Sequence, residues 1–479
     1  MTSTDLELAF TPAWKLREMI EHRKLSPVEL ADFTLKRVEA LNPKLNAFLT
    51  VTADLAMQQA REAESAVMRG SRLGSLHGIP VSIKDLEGVR GVRFTHGSLL
   101  YQHEVADQDA LCVERLKAAG AVIAGKTNTP EFGAAGTTEN LLGEACKNPW
   151  DLNRTPGGSS GGAAASVAAG ITAIAQGSDG GGSVRIPASF SGIFGMKPTQ
   201  GRIPRRRGGA HSYFPINNSA VGPLSRDVRD SAVMLNVMSG PAADSEYGTI
   251  PSRPPDFTQA LDRGVRGLRM AWSHDFGGAP VDPEVVEICG KAVRSFADMG
   301  ANVEHCEYRP DSTEAVFDAF VTFSAAKTYA THSDALHHRD KLTDYFTSAL
   351  ERGRTVTGEQ LFAALSAIGR YRAYTADFLT DYDLLLSPTL AVGAFKIGHP
   401  PEVIGGKRVL STRLGFYPFT YPFNVTGNPA ATVPCGFTKE GMPVGLQIIG
   451  RMEDEATVLA ASAAFEMARP WVGKRPPVQ

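Results

Sequence analysis

Residues 157–185 read Gly157-Gly158-Ser159-Ser160-Gly161-Gly162-Ala163-Ala164-Ala165-Ser166-Val167-Ala168-Ala169-Gly170-Ile171-Thr172-Ala173-Ile174-Ala175-Gln176-Gly177-Ser178-Asp179-Gly180-Gly181-Gly182-Ser183-Val184-Arg185. The Ala-rich run from about Gly162 to Ala169 suits a helix that stops at Gly170, and Ile171 to Ala175 reads as the strand after it. The same alternation runs outward. Ile79, Val81 and Ile83 form a strand that delivers Lys84-Asp85; a helix from about Ala110 to Ala119 ends at Gly120; Ala121 to Ala124 is the next strand. The expected class is α/β, a mixed sheet covered by helices.

The flanking regions fit this core. Ser26-Pro27-Val28-Glu29 is a capping-box pattern that opens a helix with Leu30, Phe33, Val38 and Leu41 on one face, and Asn42-Pro43 is expected to stop it. A second helix is expected over Ala53 to Met68, ending near Gly70. Residues from about 240 to 400 are more polar and more helical, with a Pro-rich junction at Pro251 to Pro255, and read as an insertion or cap. Within it, Leu384-Leu385-Leu386 is a buried strand. Sheet character returns from Ala430 to Gly450 around a turn at Lys439-Glu440-Gly441, and a last helix covers about Asp454 to Met467. No internal repeat is seen.

With 43% hydrophobic and 21% charged residues and a net charge of −2, the composition offers no basic surface for nucleic acid or membrane. Arg205-Arg206-Arg207 is the one dense basic spot and reads as a solvated loop. Five scattered cysteines, without a CxxC or Cys/His spacing, imply neither a disulfide framework nor a metal site. The start, MTSTDLELAF, lacks a basic-then-apolar run, and the weakly polar stretch Ala163 to Ala175 is too short to span a bilayer. A cytoplasmic protein is expected.

Gly157 to Gly162 alone could be a flexible linker, but a linker would not open directly into an Ala-rich helix and an apolar strand. Glycines allow close backbone approach, so Gly180-Gly181-Gly182 before Ser183 suits several N–H groups aimed at one oxygen, as an oxyanion hole requires. A serine nucleophile needs a base. None of the eleven histidines lies in a Ser-His-Asp context, and no GxSxG elbow occurs. Lys84 ends an apolar strand, where desolvation would favour a neutral amine. Two readings of it stay open here: a base, or a surface lysine paired with Asp85. Gly120 to Thr127 fits the Walker A pattern, yet its middle residues are themselves the strand and a helix precedes them, so nucleotide binding is not expected.

Together these segments closely resemble the amidase signature family. The resemblance runs through Leu76 to Asp85, Gly125 to Phe132, Asn148-Pro149-Trp150, Pro156 to Gly162, Gly177 to Pro187, Gly195 to Thr199 and Gly222-Pro223-Leu224. C-terminal echoes are Ser387-Pro388-Thr389, Phe423 to Pro429 and Pro443 to Gln447. It covers about residues 5 to 475 and is weakest from 240 to 380. It implies a single domain over 1–479, built on one large mixed sheet with helices on both faces. Within it lie N-terminal helices (1–70), the signature core (71–235), a variable helical or cap region (240–400) and a C-terminal return to the sheet (401–479).

Carried over by position, the resemblance makes Lys84 the base, Ser159 a bridging serine after a cis peptide bond, and Ser183 the acylated serine. The amides of Gly180, Gly181, Gly182 and Ser183 match the oxyanion loop, with Asp179 and Arg185 as its supports. The implied reaction is amide hydrolysis through an acyl-enzyme, with a small-molecule amide and water as partners and no metal or cofactor. A homodimer stays open. Two alternatives are a glutaminase subunit of a tRNA-dependent amidotransferase and a catalytically inactive binding protein. Against the first stand Thr129-Pro130-Glu131-Phe132 where that subunit usually has Met-Asp-Glu-Phe, Gly180 where it has Thr, and Ile186 where it has Gln. Ile186 suits a greasier substrate. Gly133, followed by Ala134 and Ala135, either leaves room for a bulky or aryl acyl group or makes a tight turn; Tyr213 and Phe214 either wall a pocket or simply pack. Aryl amides, hydrazides, cyclic amides, carbamates and esters all remain compatible.

Overall fold

The computed structural model describes residues 3–206, 217–243, 245 and 248–478. Tyr213, Phe214 and Arg207 lie outside the described residues. In chain order the strands are β1 (Phe48–Val51), β2 (Pro80–Lys84), β3 (Val122–Thr127), β4 (Ile174–Asp179), β5 (Phe194–Lys197), β6 (Ala220–Ser225), β7 (Arg269–Trp272), β8 (Asn302–His305) and β9 (Leu384–Pro388). Then come β10 (Val403–Ile404), β11 (Lys407–Arg408), β12 (Ala430–Phe437) and β13 (Pro443–Gly450). Among the described residues, all but β10 and β11 join one sheet of eleven strands in the order β1-β3-β2-β4-β6-β5-β12-β13-β9-β7-β8. β2 runs parallel to β3 and β4, and β7 parallel to β8 and β9, while β6, β5, β12 and β13 join these groups by antiparallel pairing.

Both faces of the sheet are covered. On β9, Leu384 and Leu386 enter one apolar cluster and Leu385 the other; on β7, Met270 and Trp272 separate from Ala271 in the same way. This is the two-residue period of a strand buried on both sides. It also explains why the central strands carry so few exposed polar residues to mark an outer face.

Local signals place several helices well. Ser26 Oγ accepts from the backbone N–H groups of Val28 (3.0 Å) and Glu29 (3.3 Å), and Glu29 Oε2 accepts from Ser26 N (3.3 Å), completing the capping box. The next helix spans Ala53–Met68 and the last spans Glu455–Ala468. Four expectations need correction. The helix from Pro27 runs through Pro43 to Leu45, because a proline in the last turn forfeits little of the ladder, and Asn46 closes it in the left-handed region at φ 47°. The strand expected at Ile171 to Ala175 lies instead at Ile174–Asp179, since its polar half is buried with partners such as the Lys84 N–H on Gln176 Oε1 (3.0 Å). The polar region from 240 to 400 supplies β7 and β8 to the main sheet, beside the strand expected at Leu384 to Leu386, as well as its helices. Arg205 is buried rather than solvated, its Nη2 donating to Glu87 Oε1 at 2.7 Å and its Nη1 to Ser219 Oγ at 2.8 Å, and Arg206 pairs with Glu114.

Candidate active site

Strand β2 is buried along its whole length and carries Lys84 to its C-terminal end. The Lys84 amine reaches Ser159 Oγ at 2.6 Å, Ser160 Oγ at 2.9 Å and the Ser178 carbonyl at 3.3 Å. Its sequence neighbour Asp85 turns elsewhere, accepting from Lys126 Nζ at 2.6 Å, Thr95 N at 3.0 Å and the Thr95 hydroxyl. The Lys84–Asp85 pair considered from the sequence therefore does not form, and the Walker-like Lys126 is a fully buried partner of Asp85 on a strand.

The serines come from the turn before the helix Gly161–Ala168. The Gly158–Ser159 peptide is cis, and a Cβ on Gly158 would lie 2.3 Å from the Thr137 carbonyl, so only glycine fits. Residues 155–179 are all buried, which excludes a flexible linker. Ser160 binds this turn to the second glycine loop: its N–H donates to the Ser183 carbonyl (3.1 Å) and its hydroxyl to the Ser178 carbonyl (3.2 Å). The resemblance set Ser159 apart as the bridging serine, but nothing local in the sequence gave Ser160 this tying role.

The second loop leaves β4 at Asp179 and enters the helix Arg185–Ser191. Arg185 grips the Asp179 carboxylate through Nε and Nη2, each at 2.9 Å, in a fully buried bidentate pair. Burial alone would raise the Asp179 carboxyl, but the Arg185 guanidinium, with Lys197 and Asn424, outweighs it and holds the group well below the usual carboxylate range. Burial pushes the neighbouring Lys197 ammonium down to about 7, helped by Arg185 and opposed by Asp179 and Glu455.

This ion pair shapes the glycines. Gly182 N donates to Asp179 Oδ1 at 2.7 Å and Val184 N to Oδ2 at 3.2 Å. The Gly182 amide, expected from the resemblance to face an oxyanion, is thus committed to the frame, and its φ of 132° with Thr420 Oγ1 only 2.3 Å from any added Cβ requires glycine. Asn424 donates to the Asp179 carbonyl (2.8 Å) and accepts from Arg185 Nη2 (2.7 Å). It lies in the Phe423 to Pro429 segment, where the resemblance already marked it without a role. Ser183 retains 8% exposure at the mouth of this loop.

The peripheral residues divide. Gly133 occupies a tight turn at φ 71° and also abuts the site: an added Cβ would lie 3.2 Å from Ser159 Oγ and 2.8 Å from Leu86 Cδ1. Ala134, the next residue, is exposed. Ile186 is 1% exposed and packs beneath the loop against Gly157 and Gly182, so it acts in the core and not as an open pocket wall. A cavity of about 640 Å³ lined by Arg372, Leu379, Arg451 and Met452, among others, contains none of Lys84, Ser159 and Ser183.

Known proteins match along the length of the chain. The family model "Amidase" covers residues 29–459. The acylamidase of Rhodococcus erythropolis is 37% identical, over 99% of this chain and 98% of that protein. A glutamyl-tRNA(Gln) amidotransferase subunit of Moorella thermoacetica is 36% identical, over 98% of this chain and 99% of that protein. Among solved structures, a bacterial aryl acylamidase of the amidase signature enzymes superposes with a TM-score of 0.91 at 31% identity, over 96% of this chain and 97% of that one. The 6-aminohexanoate cyclic dimer hydrolase gives 0.87 at 30% identity, over 98% and 99%. A match this continuous, on the fold described above, places the chain in the amidase family as a serine hydrolase of amide carbon–nitrogen bonds.

Proposed function

We propose that Ser183 is the nucleophile, Ser159 the bridging proton carrier and Lys84 the base, within a single amidase domain. The observation that supports this most is the fully buried Lys84 amine 2.6 Å from Ser159 Oγ, with Ser160 tying the Ser159 turn to the Ser183 carbonyl. As the Ser183 oxygen bonds the amide carbon, its proton passes to Ser159 and the Ser159 proton to Lys84. The Lys84 proton returns through Ser159 to the departing nitrogen as the carbon–nitrogen bond breaks. Water then attacks the acyl-enzyme, loses its proton along the same relay, and releases the carboxylic acid and free Ser183.

The substrate class we favour is an acyl amide, including aryl amides. The relatives called acylamidase and aryl acylamidase support it, as does the absent side chain at Gly133 beside Ser159. A glutaminase subunit is the second reading, resting on the 36% identity to the amidotransferase protein; Gly180, Ile186 and the Thr129 to Phe132 segment weigh against it. Four buried cysteines and a half-buried fifth, all free, suit the reducing cytoplasm that we assign to the enzyme.

The test is a panel of chromogenic anilides, primary amides (glutamine included), esters, hydrazides and carbamates, run on the wild type and Ser183→Ala. Anilide turnover and fluorophosphonate labelling should both vanish in the variant. Labelling retained on another serine would overturn the assignment, and ammonia release confined to glutamine would favour the second reading.

A further inference from the structure

The peptide units of the glycine loop are held unequally. In a planar trans peptide the carbonyl of one residue and the N–H of the next point in opposite directions, so a bonded carbonyl aims the N–H behind it. The Gly181 carbonyl accepts from Thr420 Oγ1 (2.7 Å), and the Gly182 N–H on the other side of that unit is taken by Asp179. The Ser183 carbonyl accepts from Ser160 N, and the Val184 N–H is again taken by Asp179.

Three other units are pinned only at the carbonyl. Asp179 O is held by Asn424 Nδ2, Gly180 O by Asn218 Nδ2 (3.0 Å) and Gly182 O by Ile186 N (2.7 Å). The amides these units leave unbonded among the described residues are those of Gly180, Gly181 and Ser183. Two of the three pins come from the loop's own helix and the signature segment around Asn424. Asn218 does not: it precedes β6, is 6% exposed, and is itself held from the polar region by Lys327 Nζ, 2.7 Å from its Oδ1.

Lys327 lies on the helix Thr313–His332, whose same face carries Phe320 and Phe323 at helical spacing. Phe320 Cζ would sit 2.9 Å from a Cβ on Gly181, and the Lys327 ammonium lies 5.9 Å from the Phe323 ring centre. The helix therefore rests on the loop at one point and reaches it through Asn218 at another. An ammonium can only donate and a carbonyl can only accept, so Lys327 forces Asn218 to present its oxygen to the helix and its NH₂ to Gly180. It also withdraws charge toward the amide oxygen, which strengthens the NH₂ as a donor.

We infer that Asn218 is a positioning residue that aims the Gly181 N–H at the developing oxyanion, and that Lys327 sets Asn218 in the orientation that does so. The inference rests on the assignment of Ser183 as nucleophile. It extends the site beyond the signature segments into the polar 240–400 region, where the resemblance is weakest.

The isosteric variant Asn218→Asp tests this directly. Aspartate keeps the Lys327 contact but offers no donor to Gly180 O. Its kcat on a chromogenic anilide should fall by about 10-fold or more, less than the loss for removing a whole oxyanion donor, while KM stays within about threefold. Affinity for an arylboronic acid, which forms a tetrahedral adduct on the serine, should fall in parallel with kcat. Lys327→Met should lower kcat less, Lys327→Arg should restore most of it, and Asn218→Ala/Lys327→Met should be no worse than Asn218→Ala alone. Asn218→Ala serves if the aspartate variant folds poorly. Unchanged kcat and boronate affinity in a folded variant whose Ser183 still takes the fluorophosphonate would overturn the inference and leave the nucleophile assignment intact. Equal losses in additive steps would overturn the role of Lys327. Failure of wild-type Ser183 to take the label would remove both together.

Discussion

Lys84 and Ser159, 75 positions apart in the chain, are joined by a hydrogen bond of 2.6 Å in a site where both side chains are shut off from solvent. The adjacent Asp85, which could have neutralised the lysine, is instead occupied by Lys126 and Thr95. The lysine is thus kept from its nearest carboxylate and directed at a hydroxyl, the arrangement a lysine base needs.

Lys84→Arg separates a base from a mere positive charge. Arginine remains protonated throughout the working range and cannot take the Ser159 proton. Both Lys84→Arg and Lys84→Ala should lose activity by about 100-fold or more at neutral pH. An arginine variant that kept a tenth of wild-type kcat/KM would exclude the base role.

Gly133→Ala adds a methyl where Leu86 Cδ1 and Ser159 Oγ already approach, at a φ of 71° that disfavours any side chain. Anilide turnover should fall, with bulky acyl groups losing more than acetyl. A uniform loss across acyl sizes would show that the turn, and not the space beside Ser159, is what glycine serves.

Lys126→Met leaves Asp85 buried without its cation, a change expected to destabilise by about 3–5 kcal/mol. Denaturant unfolding should show it. The paired change Asp85→Asn/Lys126→Met should recover part of the loss, and ATP should leave the melting temperature of the wild type unmoved.

Glu466→Gln reports on stability against pH. Burial, with Asp227 nearby, pushes the Glu466 carboxyl up to about 8, and its Oε1 has no hydrogen-bond partner among the described residues. A carboxyl raised above its unfolded value near 4.5 holds its proton longer when folded, so its contribution is whole below that pH. It is then lost as pH rises toward 8. Unfolding free energy should decline over that window in the wild type and decline less in the glutamine variant; equal slopes would refute the cause.

Much of this protein is legible locally. Ser26 and Glu29 lie three positions apart, so their capping box is written in adjacent residues. The Ala53–Met68 helix and the delivery of Lys84 at a strand end likewise depend on near neighbours. The family pattern itself, with Lys84, Ser159 and Ser183 in order, is linear information.

What the linear order left open was which of several polar groups each side chain meets. Lys84 had Asp85 beside it and Ser159 far away, and only the packing of β2 between β3 and β4 chose the serine. Gly182 was one of three like glycines until the Asp179 carboxylate took its amide. Ile186 looked like a pocket residue and proved to be core, Arg205 looked solvated and proved to be paired with Glu87, and Asn218 gave no sign of reaching Gly180. In each case the partner lies on another element, and periodicity reports only which face of an element is apolar. Hydrogen bonds are short and directional, so choosing among partners needs distances and angles that exist once the sheet has assembled.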